Sequence, residues 1–364
     1  MVCPYCSKAQ KADEPLRGIL EVIYSSDNDV NAEALCPVEE KYFISIPVGN
    51  TPLWQSDHMD RGLYLKDDTV NLTGSFKDRA SMLVAAFAKK HKIKEIVLAS
   101  TGNAGSSMAG VAAAYGLATT LFLPKTAPRA KMVQALQYGA KLITVDGNYD
   151  KAFDLSLEYS VKHKLLSRNT AFNPLTIEGK KTVSFEIVEQ MGKAPDNVFV
   201  PVGDGVILSG VYKGFKDLLD FNLIQKMPTI IAVQAEGSSA IHDALKRGSF
   251  EKVKADTIAD SISVDVPRCG YYALKQLQTY QGRSVLVSDE EILSAQKELS
   301  EKTGLFAEPA AAASYAGYSS LKNTLKAGNS SVVLITGTGL KDIDAAMKKI
   351  SFPKHSIKDI REIV

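Results

Sequence analysis

The sequence predicts an α/β protein of two parallel-rich, three-layer lobes, one inserted in the other. Three observations carry this. From about Glu95 onward, short apolar, β-rich runs alternate with helical stretches of ten or more residues, and such alternation builds parallel sheets that need helices on both faces. Glycine-rich turns follow several of these runs directly. The chain, at 364 residues, is too long for one small core. The turns near residues 75, 102, 204 and 338 come from distant parts of the chain and read as serving one site. The two ends of the sequence must then meet around an insertion. Residues 46–85 and 175–364 are expected to form the larger lobe, residues 86–174 the smaller one, and residues 1–45 an N-terminal arm with scattered charge and weak periodicity.

The elements follow in order. Thr73-Gly74-Ser75-Phe76-Lys77-Asp78-Arg79 opens a helix that Ala80 to Ala86 continues, with Thr73 or Ser75 able to cap it. Ile96–Ala99 is a strand, Ala104–Tyr115 an Ala-rich helix and Thr119–Leu123 a strand. A helix is expected over Pro128–Tyr138, a strand over Lys141–Val145 and a helix over Tyr149–Lys162. Val198–Val202 is a strand followed by a helix after Gly205, and Ile230–Val233 a strand followed by a helix from Ser239. The alternation closes with strand Val332–Ile335 and a helix after Gly339.

Composition excludes several classes. Lys+Arg is 43 against Asp+Glu 41, a net charge of +2, so there is no broad electrostatic footprint for nucleic acid. No apolar run reaches the roughly 18–20 residues of a membrane span. Met1–Lys11 has no apolar core of a secretory signal. Four cysteines do not make a disulfide scaffold, and a cytoplasmic location is expected. The histidines His58, His91, His163, His242 and His355 lack metal-ligand spacing, and each is expected at the surface.

In open α/β sheets ligands bind beyond the carboxyl ends of strands. Ser100-Thr101-Gly102-Asn103-Ala104-Gly105, Gly203-Asp204-Gly205-Val206-Ile207 and Thr336-Gly337-Thr338-Gly339 each occupy such a place. Each offers free backbone N–H groups at a helix start, which suits an anion. The dinucleotide pattern G-x-G-x-x-G fails at Leu208 and at Asp342, and no P-loop occurs. The anion is therefore expected to be a phosphate of another kind of cofactor. Lys77 reads in two ways from the residues alone. It is a solvated first-turn lysine, or one whose pKa is lowered by burial and the helix dipole so that its amine becomes a nucleophile.

Gly74-Ser75-Phe76-Lys77-Asp78-Arg79, Ser100 to Gly105, Gly304-Leu305-Phe306-Ala307-Glu308-Pro309-Ala310 and Thr336-Gly337-Thr338-Gly339-Leu340-Lys341-Asp342 occur in this order. Together they resemble the threonine synthase family, within the pyridoxal-phosphate enzymes of the tryptophan-synthase-β type (fold type II). The resemblance runs from about Pro47 to Lys348. It implies a lyase that uses pyridoxal 5'-phosphate, held in the cleft between the lobes, to convert O-phospho-L-homoserine and water to L-threonine and phosphate. Lys77 would carry the cofactor as a Schiff base and serve as acid and base. Asn103 would bond the pyridine hydroxyl. Gly203, Asp204, Gly205, Val206 and Ile207 would bind the cofactor phosphate, and Thr336 would meet the ring nitrogen. A hydroxyl there leaves the ring a milder electron sink than an aspartate does, which suits elimination and replacement chemistry. Ser100 and Thr101 would hold the substrate carboxylate. The implied partner is an amino-acid substrate, with no nucleic acid or membrane and with a homodimer left open.

The sequence departs from that family in three places. Thr176, in Asn173-Pro174-Leu175-Thr176, stands where the family carries an arginine for the substrate phosphate. Lys66, Lys180 or Lys181 is the expected substitute, and only one of two adjacent helical lysines can face a site. Otherwise the substrate is serine, threonine or phosphoserine and the reaction a β-elimination or β-replacement, as in a dehydratase or a cysteate synthase. A non-catalytic ligand-binding homologue is the reading of a different class. Asp204 places a carboxylate in the phosphate turn, where it is expected to cap its own turn. Cys3 and Cys6 alone remain of a zinc ribbon, so no metal is expected. Glu308 either caps the helix that begins at Pro309 or faces the cofactor, the structural role being favoured.

Overall fold

The computed structural model describes residues 1–11, 13–25, 34–127 and 129–350. Its strands are β1 (Leu53–Trp54), β2 (Leu63–Asp67), β3 (Glu95–Ala99), β4 (Ala118–Pro124), β5 (Lys141–Val145), β6 (Leu166–Ser167), β7 (Asn197–Pro201), β8 (Thr229–Ala235), β9 (Arg283–Val287) and β10 (Ser331–Ile335). Its helices are α1 (Lys77–Lys90), α2 (Asn103–Tyr115), α3 (Arg129–Gln137), α4 (Tyr149–Lys162), α5 (Leu175–Met191), α6 (Val206–Asp220), α7 (Ala240–Arg247), α8 (Gly270–Thr279), α9 (Asp289–Thr303), α10 (Pro309–Leu321) and α11 (Ile343–Met347). Pro128 and His355 lie outside the described residues. Among those residues, no helix is long and apolar enough to cross a membrane.

Two sheets organise the molecule. The larger has strand order β1-β2-β10-β7-β8-β9, parallel except for the β1–β2 pair. The smaller has the order β5-β4-β3-β6 and is wholly parallel. All four strands of the smaller sheet fall in sequence between β2 and β7, so one sheet is inserted in the other. Pairing of β2 with β10 joins the two halves of the larger sheet across the insertion. Central strands β7 and β10 are buried throughout, which explains their unbroken apolar runs.

Helices α1, α5 and α6 pack at close range between the sheets, and glycines make that possible. A Cβ on Gly179 of α5 would lie 2.5 Å from the Arg79 carbonyl oxygen and 2.7 Å from the Ala80 Cα on α1. A Cβ on Gly214 of α6 would lie 2.4 Å from the Lys181 carbonyl oxygen on α5. These are backbone atoms, which do not yield as a side chain does.

Two buried ion clusters lock the same helices. The Arg79 guanidinium, fully buried, meets both oxygens of Asp68 at 2.6 and 2.9 Å and both of Glu186 at 2.5 and 2.8 Å. Lys181 bonds Glu178 at 2.6 Å and Asp217 at 2.7 Å, and Asp217 also takes Lys213.

Several expectations are corrected. Thr73 and Ser75 do not cap α1, whose N-cap position is Phe76 with no side-chain cap. Thr73 instead donates its N–H and its hydroxyl to Asp78, both at 2.6 Å. The chain after Gly339 first makes a short 3-10 turn, Gly339–Lys341, and α11 starts only at Ile343. His242 is 7% exposed rather than at the surface, its ring bonded to the Ser284 hydroxyl at 2.9 Å. It lies on the face of α7 that carries the buried Ile241 and Ala244.

The α1–α5 contact yields a stability prediction. Gly179→Ala should lower the unfolding free energy of the cofactor-free protein by about 1–3 kcal/mol, despite alanine's better helix propensity. Urea denaturation measures it, and a variant as stable as the parent would contradict the packing described.

Candidate active site

Lys77 is the first residue of α1, at the point where the two sheets meet. The loop before it is stitched to the turn after β10. Phe76 N–H donates to the Thr336 carbonyl at 2.9 Å, Thr338 N–H donates to the Gly74 carbonyl at 3.1 Å, and Ser75 and Gly337 form an antiparallel bridge. This pairing buries Ser75, whose hydroxyl finds no partner. It also sets Lys77 beside Thr336, although they are distant in sequence.

The half-buried Lys77 lines a cleft of about 440 Å³ between the sheets. Ser100, Thr101 and Asn103 line it from the start of α2. Gly203, Asp204, Gly205 and Ile207 line it from the start of α6, and Thr336 from the end of β10. These predicted residues therefore converge. Val206 lies behind the turn, packed with Ala171, Ile177 and Cys269.

Lys66 and Lys181 are not in the cleft, which corrects their expected role at the substrate phosphate. Lys66 Nζ is bound by Glu186 at 2.6 Å, the Thr51 carbonyl at 2.7 Å and Gln190 at 2.9 Å. Lys181 points to Glu178 and Asp217. Each charge is already neutralised inside the protein. Lys180, one residue away, turns to the other side of α5 and donates to the Thr176 carbonyl at 3.0 Å. The Thr176 hydroxyl is committed to the carbonyls of Thr170 and Asn173, at 2.7 and 2.9 Å.

Burial lowers the Lys77 pKa, with nearby Glu308 and then Asp204 opposing the shift and Arg168 adding to it. A larger fraction of the amine is then unprotonated and nucleophilic. For Glu308 the favoured capping role is corrected and the other of its two readings, facing the cleft, is the one the structure shows. It occupies the N-cap position of α10 but makes no side-chain cap. Its carboxylate accepts from Asn103 Nδ2 at 2.8 and 3.0 Å and lines the cleft. A Cβ on Gly337 would lie 2.5 Å from Glu308 Oε1, so the glycine makes room for the carboxylate. Burial raises the Glu308 pKa, against the Asn103 bond and Lys77. A carboxylate just before a proline at a helix start normally signals capping, and no local signal distinguishes this case.

The turn at α6 has the form of a phosphate cradle. Gly205 has φ +88°, a left-handed conformation natural to glycine. A Cβ on Gly203 would lie 2.8 Å from the Ile262 Cα. Asp204 caps its own turn, accepting from Val206 N–H at 3.1 Å and from the Thr170 hydroxyl. Its charge is thereby engaged, and the free N–H groups of the first turn of α6 remain for an anion. A lysine amine of lowered pKa, an amide and a phosphate cradle lining one cavity are the donor set that a pyridoxal phosphate requires. Sequence reading also missed Arg268 and Asp150, which pair across the cleft rim. Neither sits in a recognisable motif. No group of three or more His, Cys, Asp or Glu positioned for a metal ion occurs among the described residues.

Comparison with known proteins agrees with this donor set. The family described as "Pyridoxal-phosphate dependent enzyme" matches residues 44–337. The chain belongs to that family of pyridoxal-phosphate-dependent enzymes. A protein named threonine synthase from Methanocaldococcus jannaschii is 34% identical, over 96% of this chain and 95% of its own length. Another so named, from Bacillus sp. (strain ULM1), is 36% identical over 90% of this chain and 94% of its own. Among solved structures, threonine deaminase isoform 2 from Solanum lycopersicum superposes with a TM-score of 0.70 at 23% identity, over 83% of this chain and 87% of its own. Maize serine racemase gives a TM-score of 0.70 at 23% identity, over 82% of this chain and 92% of its own. These two share the fold.

The Glu308–Lys77 relation predicts a signed pH effect. Glu308→Gln removes an anion that favours the charged amine. The pH midpoint for reductive methylation of Lys77 in cofactor-free protein should move down, as read by peptide mass spectrometry. An unmoved midpoint, or one moved up, would show that Glu308 does not act on Lys77.

Proposed function

We propose that the protein is a threonine synthase, converting O-phospho-L-homoserine and water to L-threonine and phosphate. The observation that carries this is the convergence of Lys77, Asn103, Thr336 and the 203–207 turn on one cleft, in a chain 34% identical over 96% of its length to a relative of that name. Bound pyridoxal phosphate supplies the electron sink that acidifies the substrate's carbon–hydrogen bonds. In this reading Lys77 anchors the cofactor. Once displaced by the substrate amine, its Nζ takes the proton from Cα and moves protons at Cβ, for which a lowered pKa suits it. Phosphate would leave Cγ, which gains a proton to become the methyl group, water would add at Cβ, and the proton taken from Cα would be returned there.

The other residues hold and orient. Ser100, Thr101 and the N-terminus of α2 receive the substrate carboxylate. Asn103, itself held by Glu308, orients the ring through its hydroxyl. The Thr336 hydroxyl meets the ring nitrogen without giving it a full positive charge.

Thr176 favours a second reading, β-elimination from serine or threonine, because its buried hydroxyl is spent on carbonyls and offers no cation. Product analysis separates the two. With phosphohomoserine the holoenzyme should release threonine and phosphate in equal amounts. A 2-oxo acid from serine or threonine, with no threonine from phosphohomoserine, would replace the first reading with the second. A Thr336→Asp variant should keep its cofactor but divert turnover toward transamination, and unchanged product partitioning would mean that Thr336 does not face the ring nitrogen.

A further inference from the structure

The run Thr336 to Asp342 carries a lysine that the functional reading leaves without a part. Lys341 ends the short 3-10 turn after β10, on the larger sheet. Its side chain crosses to helices of the smaller one. Nζ donates to Gln134 Oε1 on α3 at 2.7 Å and to the Ser106 hydroxyl on α2 at 3.3 Å. Ser106 is buried and lies one turn beyond Asn103. Its hydroxyl donates to the Asn103 carbonyl at 3.4 Å. Glu308 thus holds the amide end of Asn103, and Lys341 holds its backbone through Ser106. Gly74 leaves room for the crossing side chain, since a Cβ there would lie 3.4 Å from Lys341 Cε.

Gln134 passes the contact on. Its Nε2 donates to the Thr73 carbonyl at 3.2 Å and to the Tyr138 hydroxyl at 3.1 Å, and Thr73 opens the loop that carries Lys77. Helix α2 lies against the same loop, for a Cβ on its Gly110 would lie 2.5 Å from Thr73 Cγ2. The return path is backbone. Lys341 N–H donates to the Thr338 carbonyl at 3.2 Å, and Thr338 N–H to the Gly74 carbonyl at 3.1 Å. The bonds close a ring through the Lys77 loop, the turn after β10 and helices α2 and α3. Both acceptors of the ammonium are neutral oxygens, and a charged donor makes such bonds stronger than neutral ones. Ser100, Thr101 and Asn103 sit at the start of α2, while Lys77 and Thr336 belong to the larger sheet. Groups from the two sides work on one molecule only if the distance between them is fixed.

We infer that Lys341 is a positioning residue that docks the start of α2 against the Lys77 loop, so that Ser100, Thr101 and Asn103 meet the substrate and cofactor in register. The inference rests on the preceding functional reading for the placing of the substrate carboxylate at Ser100 and Thr101. Lys341 does not line the cleft and acts through Ser106 and Gln134.

The test compares the parent with Lys341→Met, Gln134→Leu and the double variant. The probe is L-2-aminobutyrate, which has the amine and carboxylate of a substrate but no leaving group. Probe and cofactor affinities are read from the visible band of the holoprotein. Amide exchange over residues 100–108 is read by mass spectrometry on cofactor-free protein. Lys341→Met should weaken the probe by about tenfold to a hundredfold and leave cofactor affinity within about threefold. It should speed exchange over 100–108 by about tenfold. Gln134→Leu should act in the same direction, and it decides the matter if Lys341→Met does not fold. The double variant should fall short of the product of the two single effects, because the shared contact is lost only once. Effects that multiply would show two side chains acting separately and overturn the inference. Unchanged probe affinity and exchange, with lower global stability, would make Lys341 purely structural and overturn it. An equal loss of cofactor affinity would place the effect on the Lys77 loop and overturn it too. Ser100→Ala separates the two claims. If it leaves the probe unchanged while Lys341→Met still speeds exchange, the carboxylate placement fails and the docking stands. If it weakens the probe and Lys341→Met does not, the docking fails and the carboxylate placement stands.

Discussion

The fully buried Arg79 guanidinium, gripped by Asp68 and Glu186, is the interaction on which the site depends. It joins three segments: the turn after β2, the first turn of α1 and the middle of α5. Removing one partner from such a pair strands a charge in a dry interior and costs about 3–5 kcal/mol. Here the pairing is complete, with both carboxylates bidentate, and Arg79 and Lys66 hold the Glu186 pKa at about 2. Arg79 sits two residues beyond Lys77, so whatever fixes Arg79 fixes the direction in which the Lys77 side chain leaves the helix. Gly179 brings α5 against the same turn of α1.

With the backbone fixed, electrostatics at the cleft follow. Lys77 is half-buried where Glu308 and Asp204 partly restore what burial takes away. Asn103 from the smaller sheet and Glu308 from the larger meet side chain to side chain across the cleft. That bond couples the position of the two sheets to the orientation of the amide. Asp204 illustrates the same economy. A carboxylate in a phosphate turn repels an anion unless its charge is engaged, and Thr170 and Val206 engage it.

The parallel strands and their glycine turns were legible in the sequence because both are local. Apolar runs such as Val198–Val202 and Val332–Ile335 mark buried strands, and strand ends in an open α/β sheet are where ligands bind. Asn103 and Thr336 lie in such turns, whereas the residues alone left Lys77 open between a solvated lysine and a nucleophile, and the family resemblance supplied the roles of all three. Lys66 and Lys181 could not be excluded, since their partners Glu186 and Asp217 lie far along the chain and the ion pairs exist only in the folded protein. For Glu308 both a cap and a cofactor-facing group were open, and the cap was favoured because its local sequence is that of a cap and the Asn103 amide that redirects it is distant. His242 failed for a similar reason, since the Ser284 hydroxyl that receives its ring comes from β9.

The central claim is that Lys77 carries the cofactor in this cleft. Borohydride reduction of the holoprotein followed by peptide mapping tests it most directly. The account predicts a yellow protein whose cofactor is fixed on the peptide containing Lys77, with no labelling when Lys77→Ala is treated in the same way. Label on any other lysine, or a parent protein that takes up no label, would contradict it.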